Sequence, residues 1–190
     1  MLEKYGAEAV NASLAEWVDY TTYDKVRDAR TELRLNLKQF RFDKIRSSLK
    51  EILKYGGDLC YQYFRRNQVY KRVKPLLDIA ADHGVSRLEK ILQKSDLYSF
   101  DLGTEACLSI AGIMEYMYEG YNGVVNVYPF TCMPSTITSS VVRPVMNKMK
   151  IPFLDAPYDG TYQPGREAAI RTFMYQAEQH FKRNGRKRHA

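Results

Sequence analysis

The chain has 190 residues, which is enough for one well-packed core and a small second lobe. Its composition, 45% hydrophobic and 27% charged, is typical of a globular protein and argues against a disordered chain. No run of 18 apolar residues would cross a membrane, and the charged N-terminus, MLEKYGAEAV, does not resemble a secretory signal peptide. A cytoplasmic location is therefore predicted, with no membrane partner.

The net charge of +7 raises the question of nucleic-acid binding. Five of the 29 lysines and arginines lie in the last nine residues, KRNGRKRHA, and most others lie between Lys25 and Lys94 among acidic residues. This distribution is typical of solvated helices followed by a basic tail, so DNA or RNA is not the expected partner. The 15 tyrosines are more unusual than the charge, and many stand beside Lys or Arg at helical spacing.

Residues 1–21 are predicted to be the partial start of an α/β domain. Leu2–Tyr5 has the pattern of a helix end closed by Gly6, and residues 7–11 are predicted to form a short strand. A strand should precede such a helix in an α/β unit. We therefore expect the sequence to be a fragment of a longer chain, or to begin with an element that packs on another polypeptide.

Residues 22–99 are predicted to form a helical lobe inserted between strands of the α/β domain. Apolar residues recur mostly at separations of three, four and seven, as on one face of a helix. They are Val26, Leu33, Leu37, Phe40, Ile45, Leu49, Ile52, Leu53, Tyr55, Leu59, Tyr63, Val69, Val73, Leu76, Leu77 and Ile79. The pairs Gly56-Gly57 and His83-Gly84 are predicted to interrupt the helices.

Residues 100–182 are predicted to form an α/β domain, followed by a basic tail at 183–190. The predicted elements are a helix at 103–120, a strand at 123–128, a helix at 135–150, a strand at 151–156 and a helix at 166–182. Ser135 and Thr136 are available to cap the middle helix. The first strand is apolar enough to be buried in a parallel sheet. The fold class predicted is α/β, with a Rossmann-like parallel sheet layer and a largely helical insertion.

The three cysteines, Cys60, Cys107 and Cys132, do not form a recognisable framework. Their number is odd, and the sequence has no CxxC and no Cys/His pair at zinc-finger spacing, which argues against disulfides and a self-contained zinc site. Cys107 lies on the apolar face of its helix and is predicted to be a core residue. Cys60, with similar helical neighbours, is interpreted in the same way.

Cys132 stands in a different context, between Pro129 and Pro134 at the junction of a strand and a helix. Ligands of open α/β sheets bind beyond the carboxyl ends of the strands, and a helix N-terminus favours a thiolate. The second strand runs into Asp159, which brings a carboxylate to the same edge. The alternative interpretation is that Cys132 is a small, half-buried residue in a tight turn. GxSxG, GxxxxGK[ST] and GxGxxG are all absent.

Three segments carry a family resemblance: GTEACLSIAGIMEYMYEGYNGVVNVYPFTCMPSTITSSVV, IPFLDAPYDG and REAAIRTFMYQAEQ. They are similar to subunits of the 2-hydroxyacyl-CoA dehydratase and benzoyl-CoA reductase type. The likeness is closest to the C-terminal part of the long proteins related to the activases of those enzymes. It is strongest over residues 101–178, and PFTCMP is its most specific element.

The resemblance implies an iron–sulfur cluster of the [4Fe–4S] type, with Cys132 as one ligand and Thr131, Ser135 and Asp159 around it. It also implies low-potential electron transfer from an ATP-hydrolysing activase, within a 2-hydroxyacyl-CoA dehydratase-like lyase or an ATP-coupled reductase. The family's other ligand cysteines are not matched here, so another chain or a missing N-terminal region would complete the site. The alternative is a non-catalytic interaction module that docks through tyrosine-rich helices, including Tyr61, Tyr63 and Tyr70.

Overall fold

The protein is a mixed α/β chain dominated by helices. A computed structural model describes residues 2–77 and 82–185. Ile79 of the predicted helical pattern and residues 186–190 of the predicted basic tail lie outside the described residues. A short 3₁₀ helix at Leu2–Tyr5 precedes the main elements. These are α1 (Leu14–Lys38), α2 (Phe42–Val73), α3 (Val85–Ser95), α4 (Glu105–Tyr118), β1 (Val124–Pro129), α5 (Met133–Met149), β2 (Phe153–Tyr158) and α6 (Arg166–Asn184).

The chain divides into two compact units, one of which is inserted into the sequence of the other. The first unit contains the residues up to Asn11 and those from Ser86 onward, and the second runs from Ala12 to Val85. The predicted helical lobe, residues 22–99, overlaps this second unit but begins and ends later in the sequence. The sheet and the Cys132 loop therefore belong to the first unit, and α1 and α2 belong to the second.

The second unit is a hairpin of two long helices, α1 and α2, packed along each other. Ser13 caps α1, where its hydroxyl accepts a hydrogen bond from the backbone N–H of Ala15 at 3.1 Å. The predicted interruption at Gly56-Gly57 is wrong, because α2 continues through both glycines. A helix-interior glycine costs about 1 kcal/mol relative to alanine, and packing along a neighbouring helix outweighs that cost.

Charged side chains are buried between the helices of this hairpin. Arg66 forms an ion pair with Asp19, whose side chain is 4% exposed, and also lies 3.7 Å from Asp82. Its guanidinium stacks over the ring of Tyr63, 4.7 Å from the centroid. Burial raises the pKa of Asp19, while the adjacent Arg66 charge lowers it. A single guanidinium therefore pairs with the buried Asp19 carboxylate and packs on an aromatic ring of the same hairpin.

A buried contact between Glu16 and His83 in the same unit joins the start of α1 to the end of the unit. Glu16 accepts a hydrogen bond from the backbone N–H of His83 at 2.6 Å, and its Oε1 lies 3.1 Å from Nδ1 of the same residue. Both side chains are less than one-tenth exposed. The backbone N–H of His83 thus holds the Glu16 carboxylate, which fixes the segment before α3 onto α1.

The first unit follows the order that the sequence predicts, with α4, β1, α5, β2 and α6 alternating along the chain. The two strands are parallel, as predicted, and their register runs from Val124 opposite Phe153 to Pro129 opposite Tyr158. Helix α4 packs on α5. The core residues that are 0% exposed are Leu88, Ala106, Cys107, Ile110, Ala111, Val142 and Met146. The helices rather than the sheet therefore supply most of this core.

Two predictions about strands are wrong. Residues 7–11 form no strand, because Gly6 ends the 3₁₀ helix at a φ of 82° and the following segment pairs with no other strand among the described residues. The first strand is also not fully buried, since Val127 is 64% exposed. In the described chain the sheet has only two strands, so each strand keeps one unpaired edge.

Gly123, directly before β1, provides a test of how closely α6 packs on the sheet. A Cβ atom built on Gly123 lies 2.7 Å from Cζ of Phe173, a residue of α6 that is 6% exposed. We expect Gly123→Ala to lower the free energy of unfolding by about 1–3 kcal/mol, because a buried ring must move. Urea denaturation followed by circular dichroism measures this loss.

Gly112→Ala in α4 is the matched control for this prediction. A Cβ there meets nothing within 4 Å, so the substitution should raise stability by up to about 1 kcal/mol through helix propensity. If Gly123→Ala is also neutral or stabilising, the contact between Phe173 and the start of β1 is not as close as described.

Candidate functional site

The loop between β1 and α5 holds Cys132 in a tight turn. The backbone N–H of Cys132 donates to the carbonyl of Pro129 at 3.0 Å, closing a four-residue turn. Thr131, the third residue of that turn, has a φ of 67°. A β-branched residue in the left-handed region is a steric outlier that costs about 1–3 kcal/mol. The turn thus holds a strained residue directly before the cysteine.

Cys132 is the N-cap residue of α5, and the helix begins two residues earlier than the sequence analysis predicts. The helix begins at Met133, with Pro134 in its first turn, where the missing N–H of proline costs nothing. Ser135 and Thr136 lie inside the helix, so the prediction that they cap it is wrong. The sulfur of Cys132 makes no capping hydrogen bond, whereas the carbonyl of this residue accepts one from the N–H of Thr136 at 3.0 Å.

The half-buried thiol of Cys132 lies at the positive end of the α5 dipole. The first turn of a helix leaves backbone N–H groups without intrahelical acceptors, and Met133 and Ser135 carry such groups here. The thiol and these N–H groups therefore belong to the same turn of the chain, although the sulfur caps none of them. A thiolate ligand or a bound anion would be stabilised at this point.

The other three predicted site residues take part in local structure. The exposed Thr131 hydroxyl donates to the carbonyl of Phe130 at 2.5 Å, and the carbonyl of Ser135 accepts from the hydroxyl of Ser139 at 3.0 Å. Asp159 accepts hydrogen bonds from the backbone N–H and hydroxyl of Thr161, at 2.9 and 2.7 Å. These bonds lower the pKa of Asp159, which is exposed.

The loops that carry Cys132 and Asp159 leave the sheet side by side. Pro129 and Tyr158 are the last paired residues of their strands, and the backbone N–H of Phe130 extends the pairing to the carbonyl of Tyr158 at 2.8 Å. Parallel strands place both loops at the carboxyl edge of the sheet. The Asp159 carboxylate turns back onto Thr161, so it shapes its own loop.

A polar cluster around Asp155 lies on the sheet and was missed by the sequence analysis. Asp155 is paired in register with Asn126, whose amide donates to its carboxylate at 3.3 Å. The same carboxylate accepts from the Ser139 hydroxyl at 2.5 Å and forms an ion pair with Arg143, both on α5. The sequence carries a signal for it, because Asn126 and Asp155 are the polar residues of two apolar strands.

Tyr128 extends this cluster toward the carboxyl edge of the sheet. Burial raises the pKa of its phenol, and the nearby charge of Asp155 adds to that effect. A side-chain hydrogen bond with Ser139 acts in the opposite direction. The phenol therefore stays protonated and is able to donate a hydrogen bond near the Cys132 loop.

An iron–sulfur cluster in the described chain would require several cysteines close together, so the positions of the three cysteines are compared. Cys107 is 0% exposed and its thiol donates to the carbonyl of Thr104 at 2.5 Å, which confirms it as a core residue. Cys60 is exposed on α2, so the prediction that it is a core residue is wrong. Among the residues described, no group of three or more His, Cys, Asp or Glu ligands includes Cys132. Cys132 fits one ligand position, and the described chain does not supply the others.

Large apolar side chains are exposed around the same loop. Val127 on β1 is 64% exposed, Phe130 is 61% exposed and Met133 is 66% exposed. Single exposed apolar residues are common on protein surfaces, but these three follow one another within seven residues. The Cys132 loop therefore combines a thiol with an apolar surface.

Within residues 2–77 and 82–185, none of the helices combines the length and the apolar character needed to span a lipid bilayer. The chain was also compared with protein-family models, with curated proteins and with solved structures, and none of them matches it.

Proposed function

We propose that this chain is a module of an iron–sulfur protein related to the 2-hydroxyacyl-CoA dehydratases or their activases. In this proposal Cys132 supplies one thiolate ligand of a cluster. The remaining ligands come from another chain or from a region preceding this sequence, and an ATP-hydrolysing activase supplies the electron. The observation that carries the proposal is the half-buried thiol at the N-cap of α5, free of a capping hydrogen bond.

Two further features support a ligand role for Cys132. The strained φ of Thr131 fixes the direction in which the chain enters α5, and such strain is concentrated at functional sites. The apolar residues Phe130 and Met133 would limit access of water to a cluster, which tunes its reduction potential. Thr131, Ser135 and Asp159 would then border the cluster rather than bind it.

The same proposal implies a larger fold and a location for the protein. The two parallel strands would be part of a Rossmann-like sheet layer to which a neighbouring polypeptide adds strands. The protein would be cytoplasmic, where thiols are kept reduced and low-potential clusters persist. No reaction step is assigned to this chain alone, because the described residues place one cysteine at the loop.

The test is iron and acid-labile sulfide per chain after anaerobic purification with the polypeptides that copurify. We expect both in the wild type and in Cys60→Ser, whose exposed thiol is the matched control. Cys132→Ser should lose them, because a serine hydroxyl is a poor ligand for iron. Equal metal in Cys132→Ser and wild type, or none in any variant, would contradict the proposal.

A second candidate function is a non-catalytic assembly module, and the open edge of β1 favours it. Across the described residues, β1 pairs with β2 on one side only, and Val127 on this strand is 64% exposed. An extended segment of a partner would add to this edge by backbone hydrogen bonds. Of the predicted docking tyrosines, Tyr61 is 64% exposed, whereas Tyr63 stacks under Arg66.

A further inference from the structure

The face of α2 that points away from α1 carries a row of exposed apolar side chains. The residues are Phe42, Leu49, Leu53, Cys60 and Phe64, separated by seven, four, seven and four positions. At 3.6 residues per turn they fall within an arc of about 60°. We call them the outward stripe. Phe42 is 73% exposed, Leu53 is 76% exposed and Phe64 is 58% exposed.

A row of basic residues runs along one side of the outward stripe. Lys50, Lys54, Arg65 and Arg72 lie about 60–120° around the helix from Leu53, all on the same side. No salt bridge of these four residues occurs in the described part of the chain. Over its whole length α2 has eight Lys and Arg against three Asp and Glu. Asp43 lies in the same arc, about 80° from Leu53, so this flank of the apolar row carries four basic residues and one acidic residue.

Gly56 and Gly57 lie beside the middle of the outward stripe. A Cβ atom built on either one meets nothing within 4 Å, so the packing of this chain does not require a glycine at these positions. Glycine inside a helix destabilises it relative to alanine. The two glycines leave a notch between Leu53 and Cys60 where another backbone could approach closely.

We propose that this face of α2 binds an amphipathic helix of a partner protein whose flanking residues are acidic. The apolar row matches the i, i+4 and i+7 anchors of helix-on-helix packing, and the basic row matches acidic flanks. A second copy of this chain would bring like charges together along the same helix. Binding to a membrane surface would not require the notch, since lipid chains adapt to any shape.

The probe is a fluorescein-labelled 21-residue helical peptide with leucines three and four apart and glutamates on both flanks. A control peptide replaces each glutamate by lysine. We expect saturable binding of the acidic peptide to the full chain, measured by fluorescence anisotropy, and at least tenfold weaker binding of the basic peptide. Binding should also weaken with added salt.

Substitutions in α2 separate the outward stripe from the rest of the helix. Leu53→Glu should lower affinity at least tenfold, whereas Val69→Glu should leave it within twofold. Val69 is also 55% exposed, but it lies about 160° around the helix from Leu53. Replacing Lys50 and Lys54 together by glutamate should weaken binding of the acidic peptide and strengthen binding of the basic peptide.

The glycine variant makes the test independent of folding. We expect Gly56→Ala combined with Gly57→Ala to raise the melting temperature and to lower affinity for the acidic peptide at least fivefold, by filling the notch. A variant that is more stable cannot lose binding by unfolding.

Three results would overturn the proposal. One is the absence of binding by the acidic peptide, or equal binding of both peptides. Another is binding to phosphatidylserine vesicles that the glycine variant leaves unchanged, which would assign the face to membranes. The third is self-association that Leu53→Glu abolishes. None of these results depends on a metal, so they leave the cluster proposal to its own test.

Discussion

Arg66→Met is expected to lower the free energy of unfolding by about 3–5 kcal/mol, a large part of the stability of an ordinary domain. Methionine keeps most of the volume of the side chain but removes the charge that compensates Asp19, which is 3% exposed. The substitution also removes the guanidinium that stacks on Tyr63. An uncompensated buried carboxylate is one of the most destabilising changes that a single substitution can cause.

The loss of stability in Arg66→Met should depend on pH, and the direction of this dependence follows from the pKa of Asp19. Burial raises that pKa above its usual value of 3.8, so the folded protein binds this proton more tightly than the unfolded chain does. In Arg66→Met the lowering effect of the guanidinium is gone, so the pKa rises further. The stability difference between wild type and variant should therefore be largest at neutral pH and shrink as the pH falls toward 5.

Urea denaturation followed by tryptophan fluorescence measures this effect, because the single tryptophan, Trp17, lies in α1 of the same hairpin. Arg65→Met is the matched control. The Arg65 guanidinium is exposed and bonds Gln68 at 3.4 Å, so the loss should stay within about 0.5 kcal/mol. Equal losses for the two variants would show that Arg66 does not compensate a buried charge.

Asp155→Ala should lower the free energy of unfolding by about 2–4 kcal/mol. The Asp155 side chain is 16% exposed, and its removal takes the charged acceptor away from Asn126 and Ser139. Both donors then keep only weaker neutral acceptors such as the Ser135 carbonyl, at 3.3 and 3.0 Å. Arg143 is half exposed and regains water, so it adds little to the loss. The same urea measurement, followed by circular dichroism, applies here.

Two variants distinguish hydrogen bonding from charge at this position. Asp155→Asn keeps an acceptor oxygen and should lose about half as much stability as alanine. Asp159→Ala removes an exposed carboxylate one residue beyond the end of β2 and should cost much less. If Asp155→Ala is as mild as Asp159→Ala, the cluster between the sheet and α5 does not contribute to folding.

The order of elements in the first unit could be predicted because each segment has a clear period. β1 and β2 alternate in the chain with helices whose apolar residues recur at three and four, and parallel pairing follows from the crossover. The predicted start of α5, at Ser135, lies two residues after the observed one. Pro134 argues for a loop in the sequence, yet it is favourable in the first turn of a helix.

The features that escaped prediction depend on residues far apart in the sequence. The Asp155 cluster requires the register that pairs Asn126 with Asp155, 29 positions later. The pairing of Arg66 with Asp19 spans 47 positions and follows from the way α2 packs on α1. Continuity of α2 through Gly56-Gly57 is likewise set by the neighbouring helix rather than by local propensity. Within the proposed site, Cys132 and Asp159 could be predicted from the local sequence pattern, because each follows a predicted strand.

The unpaired edge of β1 also bears on how the protein behaves at high concentration. An exposed strand edge with an apolar residue such as Val127 is a template for strands of other molecules. Proteins commonly protect such edges with lysine, proline or a covering loop, and β1 has Pro129 only at its last position. Colloidal stability of the isolated chain is therefore limited at this strand, where a lysine in place of the exposed Val127 would improve solubility without touching the core.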